Sequence, residues 1–138
     1  MTRSPVVVVG VDGSPGSQSA VRWAAQQATL TGATLRAVSS WRWPNYITRV
    51  PPGIDLAKDT KRILDEVLEQ ALIGCEDVTV TRHVVEGPPG PVLVAQSHDA
   101  SLLVVGAQGR AAFTGMLLGS VAEHCVRHGS CPVVVVRP

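Results

Sequence analysis

The chain has 138 residues, 45% of them apolar, and twelve Lys and Arg against eleven Asp and Glu give a net charge of +1. A chain of this length is predicted to form a single domain over residues 1–138 and to bury roughly 68–70% of its unfolded surface. Scattered, balanced charge argues against a nucleic-acid-binding surface, and no apolar run approaches the ~18 residues that span a bilayer. The three cysteines include no CxxC pair and make no disulfide framework. The short apolar run after Arg3 ends in a turn motif, unlike a signal peptide. A cytoplasmic, soluble protein is predicted.

The first element is a strand, Val6–Val9, a run of β-branched residues with no polar face, as a strand buried on both sides requires. "GVDGSPGS" (Gly10–Ser17) follows as a turn. A helix is predicted over Ser17–Leu30, with Val21, Ala24 and Ala28 on one face and Gly32 as its stop. Thr34–Ser39 reads as a second strand. A long linker, "SWRWPNYITRVPPG", leads to a helix over Ile54–Ile73, with Leu56, Ile63, Val67 and Ala71 along its apolar stripe and Gly74 as its end. Val78–Val85 alternates and suits an exposed edge strand. Pro91 opens a short helix to Ser97, where its missing N–H costs no hydrogen bond. Leu102–Val105 and Val133–Val136 are further buried strands, separated by a glycine-spaced loop and a helix ending at His128.

Strict β-α alternation implies a doubly wound α/β domain, a parallel sheet with helices on both faces. In such sheets ligands sit beyond the carboxyl ends of the strands, where strand order reverses. Two glycine-rich rims, Gly10–Gly13 and Gly106–Gly109, fall at such ends. Glycine permits close backbone approach and positive φ. Asp12 is the acid on the first rim, suited to a ribose hydroxyl or a metal-bound water; as part of "DGS" it is also a common turn former. Ser120 is placed to cap the last helix from Val121 onward, beside Gly119, whose bare Cα leaves room for an anion at the helix start. An anion gains ~0.3–2 kcal/mol there, whereas a ~1 μM ligand needs ~8 kcal/mol. A nucleotide must therefore also bury its base, for which Val11 and Val38 offer an apolar floor.

Gly106, Gly109, Gly119 and Ser120 satisfy G-x2-G-x9-G-[ST] without a gap. With "VVVGVDGS", Trp41 after the second strand, "VVEG" and "GSCPVVVVRP", the sequence resembles the ATP-binding branch of the universal stress protein family over nearly its whole length. The resemblance implies a five-stranded sheet in the order 3-2-1-4-5 and ATP, with or without Mg2+, between strands one and four. It implies Gly10, Val11 and Asp12 against the adenosine and the Val38 backbone at the adenine edge. Gly106 and Gly109 would line the ribose and α-phosphate, and Gly119, Ser120 and Val121 the phosphates. Relatives often carry Ser and Arg where this chain has Ala107 and Gln108, so Arg110 is the candidate cation. In the implied order Val133–Val136 is an apolar edge that needs cover, which predicts a homodimer through the last strand, as in the family. Bound nucleotide would then be read by a protein partner that the sequence does not name.

Competing patterns are weaker. His124 and His128 share a helix face, but Cys125 falls with the core stripe and Cys131 precedes a strand, so no metal site is expected. Trp41, Trp43 and Tyr46 read equally as a lid over adenine, a partner surface or a loop stapled to the body. No GxxxxGK[ST], G-x-G-x-x-G or G-x-S-x-G is present. Lys58 and Lys61, the only lysines, lie on a helix away from the rim. With no positioned general base, no catalytic residues are assigned and at most slow ATP hydrolysis is expected. A slow ATPase or small-molecule transferase and a nucleotide-free scaffold are the alternatives to a regulatory binding protein.

Overall fold

The computed structural model describes residues 4–109 and 118–138. Its elements run β1 (Val6–Gly10), α1 (Pro15–Thr31), β2 (Thr34–Trp41), α2 (Leu56–Ala71), β3 (Val80–Glu86), α3 (Pro89–Gln96), β4 (Leu102–Gly106), α4 (Ser120–His128) and β5 (Val133–Val136). All neighbouring strands pair in parallel, in the order β3-β2-β1-β4-β5.

The apolar runs explain the layering. Alternate residues of a strand point to opposite faces, so β1 sends Val7 and Val9 to one core and Val8 to the other. The first core joins these to Leu35 and Ala37 of β2, to the alanine-rich face of α1 and to Leu64, Leu68 and Ala71 of α2. The second joins Val8, Val38, Leu103 and Val105 to Val92 and Leu93 of α3 and Ala122 and Cys125 of α4. Strands apolar on both faces are required because helices cover both.

Several boundaries differ from the sequence reading, for local reasons. α1 starts at Pro15, because the Ser14 side chain accepts the Ser17 N–H and Pro occupies the first turn; it ends at Gly32, in left-handed geometry at φ 70°. α2 starts after Asp55, whose carboxylate caps the Lys58 N–H. Its fully buried stripe is Leu64, Leu68 and Ala71, with Ile63 and Val67 only half-buried. Ala71 of the expected stripe is buried and Val67 packs against the core, whereas Leu64 and Leu68 take the buried places beside them and Ile63 lines the cleft at the carboxyl ends of the strands. α3 starts at Pro89 rather than Pro91. β2 runs on to Trp41, because its last residues pair with β3 up to Trp41 opposite Glu86.

Candidate functional site

The strand order reverses between β1 and β4, and a cleft of about 380 Å³ opens at their carboxyl ends, within the size range of small-molecule sites. Gly10, Val11, Asp12, Val38, Gly106, Gly109, Gly119, Ser120 and Val121 all line it. Arg110 lies outside the described residues.

The rim glycines are there for space. None of Gly10, Gly106, Gly109 and Gly119 has positive φ; on the first rim only Gly13 does. A Cβ on Gly10 would meet Leu93 Cδ1 at 2.7 Å, and one on Gly106 would fall 3.0 Å from the Gly16 backbone. The first turn of α1 and the end of β4 thus cross backbone against backbone. A Cβ on Gly109 would lie 2.7 Å from Asp12 Oδ2. The two rims therefore meet, with the β1 acid set against the β4 loop. Asp12 also fulfils its turn role, its Oδ1 accepting the Ser14 N–H at 2.9 Å.

Ser120 does not cap α4. It is the first helical residue, Gly119 holds the cap position, and no side chain caps the helix. The Gly119 N–H donates to the Ala107 carbonyl at 2.6 Å, and the Glu123 N–H closes back on Gly119. Among the described residues the N–H groups of Ser120, Val121 and Ala122 have no acceptor. All three residues line the cleft. A helix start with open amides and a positive end favours a negatively charged group.

The opposite end of the cleft is formed by β2, which sequence reasoning ended too early. The last rung between β1 and β2 runs from the Val11 N–H to the Val38 carbonyl, 2.9 Å. The Val11 carbonyl, which would receive the next rung, accepts the Ser39 hydroxyl instead, at 2.7 Å. On the other edge the Gly87 N–H donates to the Trp41 carbonyl at 2.8 Å. Main-chain groups of successive strand residues face alternate sides, so Ser40 turns its N–H and C=O toward the β1 side, where β1 has ended. Ser40, Trp41 and Arg42 line this end, with Thr60 and Ile63 of α2 and Leu93 of α3 as walls.

Of the histidine and cysteine cluster, Cys125 and His124 pack against the body and His128 is exposed. Cys125 is fully buried, and burial, then neighbouring Cys131, pushes its thiol up to about 11. The His124 and His128 rings lie 4.6 Å apart. The His124 ring packs so closely on Gly90 that a Cβ there would sit 2.7 Å from it. Among the described residues no group of three or more His, Cys, Asp or Glu is gathered for a metal, and no helix is long and apolar enough to cross a membrane.

A 3-2-1-4-5 parallel sheet with a glycine-walled cleft at the switch point defines a doubly wound α/β protein. The chain belongs to the Universal stress protein family, whose pattern it matches over residues 5–137. Universal stress protein Rv2623 of Mycobacterium tuberculosis (strain H37Rv) is 37% identical over 143 residues, covering 95% of this chain and 47% of the relative. The chain spans about half the length of the curated relatives it matches. A crystal structure of a universal stress protein in complex with cAMP superposes with a TM-score of 0.72 at 30% identity, covering 98% of each chain. Universal stress protein UspA from Lactobacillus plantarum shares the fold at a TM-score of 0.75 and 21% identity, over 99% of this chain and 100% of that one.

Proposed function

We propose that this chain, as one domain over residues 1–138, is a cytoplasmic regulatory protein that binds an adenine nucleotide. It takes ATP, with or without Mg2+, or a related adenylate, in the cleft between β1 and β4. Occupancy is read by a partner protein through the chain's conformation or a dimer surface. The observation that carries the reading is the row of amides at Ser120, Val121 and Ala122, without an acceptor among the described residues and in the same cleft as Asp12. The 30%-identical relative solved with cAMP supports an adenylate as the class of ligand.

In this reading Gly10, Val11 and Asp12 lie against the adenosine and Gly106 and Gly109 beside the ribose and first phosphate. Gly119, Ser120 and Val121 hold the phosphates, with Arg110 as the neighbouring cation. The base edge meets the Ser40 main chain rather than that of Val38, whose carbonyl holds the Val11 N–H. Helix amides alone supply ~2 kcal/mol at best, so the buried base contributes most of the affinity.

A ligand that binds only the folded chain raises its melting temperature by mass action. Thermal melts and calorimetric titrations with ATP, AMP and cAMP test the reading. No shift at millimolar nucleotide, together with no heat of binding, would refute it.

A further inference from the structure

β2 reaches past the end of β1, and what it carries there is absorbed by no part of the reading above except the Ser40 main chain. Side chains on a strand alternate between faces. Leu35 and Ala37 point into the α1–α2 core and Val38 into the α3–α4 core. The same alternation sends Trp41, the last residue of β2, to the α1–α2 side, where Thr60 and Ile63 line the cleft; Arg42, one residue past the strand, lines the cleft together with Leu93 and Pro89 of α3. The Trp41 main chain is fixed by its bond from Gly87, while the residue is only half-buried and lines the cleft. Arg42 is exposed, and no ion pair involves it among the described residues.

An object that meets the Ser40 main chain edge-on occupies the plane that β1 has vacated, beside Trp41 and Arg42. A peptide edge offers one donor and one acceptor side by side. A flat heteroaromatic ring with an acceptor next to an amino group, such as N1 and N6 of adenine, is its complement. An indole stacks on such a ring, and a guanidinium packs over its face.

From this arrangement we infer that Trp41 and Arg42 are the base-specificity residues of the cleft, a clamp that selects ligands carrying a planar base over those offering a sugar phosphate alone. The inference rests on the nucleotide reading and names the residues that set its selectivity. It gives Trp41 a ligand-facing role distinct from that of the exposed loop residue Tyr46, which lies well beyond the strand end.

The test is calorimetric titration of the full chain with AMP and with ribose 5-phosphate, in wild type and in W41A, W41L, W41F and R42Q. Wild type is expected to prefer AMP at least tenfold. W41A and W41L should lose about tenfold in AMP affinity, in line with the loss of one base stack, with ribose 5-phosphate unchanged. W41F should keep most of the preference, and R42Q should lose it severalfold. W41L keeps apolar bulk without an aromatic face, so it decides the matter if W41A fails to fold. A folded W41L with the wild-type AMP to ribose 5-phosphate ratio overturns the clamp and leaves nucleotide binding standing. Wild type that binds AMP no better than ribose 5-phosphate also overturns it. Wild type that binds neither AMP nor ATP overturns the nucleotide reading and the clamp together.

Discussion

The Gly119 N–H donates to the Ala107 carbonyl at 2.6 Å, pinning the start of α4 to the end of β4. That bond consumes the cap residue's own amide, while those of the next three residues, which line the cleft, have no acceptor among the described residues. It also explains why residue 119 has no side chain, since a Cβ there would stand 3.2 Å from the same carbonyl.

Gly119→Ala follows directly. The methyl must push the Ala107 carbonyl by a few tenths of an ångström, and alanine is a poor helix cap, at a cost of about 0.5–1 kcal/mol. The amide row tilts away from the cleft. Nucleotide affinity is expected to fall about 2- to 30-fold, the range that the helix-end contribution allows, in a protein that still melts cooperatively. Calorimetry with ATP checks the first expectation and scanning calorimetry the second.

Gly16→Ala is expected to be worse for the fold. Its Cβ would lie 2.8 Å from the Gln108 carbonyl oxygen, a backbone atom that cannot swing aside. Overpacking of this kind costs about 1–3 kcal/mol. The melting temperature should drop by several degrees and nucleotide binding should weaken, because the β1 and β4 rims separate. Gly53→Ala is the comparison, since no atom lies within 4 Å of its Cβ position and only its φ of +81° opposes the change.

Asp65 links α2 to the edge strand, accepting from Lys61 at 2.8 Å and from Arg82 of β3 at 2.6 Å. The Lys61 hydrogen bond, and after it Arg82 working against partial burial, hold its carboxyl below the ordinary value of 3.8. A carboxyl lowered on folding stabilises the native state above its unfolded pKa, and that contribution fades as pH falls through the folded pKa. The stability difference between wild type and D65N should therefore be flat above about pH 5 and shrink toward zero under more acidic conditions. Pairs this exposed contribute ~0.2–1 kcal/mol. Urea titrations at pH 7 and pH 3 give the comparison.

β5 is one edge of the sheet, and each of its four valines is only half-buried. An apolar edge with open main-chain groups invites a second strand. A homodimer through β5 is expected in sedimentation equilibrium at micromolar concentration, and Val134→Lys should shift it toward monomer. A wild-type monomer at that concentration would remove the dimer surface from the functional account.

Much of this was legible in the sequence, and the exceptions share a cause. Val6–Val9, Leu102–Val105 and Val133–Val136 declare themselves because a strand covered on both faces has no polar residues to confuse the pattern. The glycine spacing located the cleft. What the residues did not reveal was the partner atom behind each choice. Gly109 accommodates the Asp12 carboxylate, and Gly10 accommodates Leu93. Ser120 looked like a cap by type, yet the chain turns one residue earlier, at Gly119. Ser40 is a weak strand former, so the second strand reads as ending at Ser39, whereas pairing with β3 carries it to Trp41. That extension is a tertiary effect that no local pattern encodes, and it builds the far end of the cleft.

The central claim is tested most directly by native mass spectrometry of the freshly purified protein, followed by titration of the ligand-free chain with ATP. The account predicts an adenylate mass on the folded chain or saturable one-to-one ATP binding, weakened in both Gly119→Ala and Asp12→Ala. A folded chain that carries no adenylate and takes up none at millimolar ATP would contradict it.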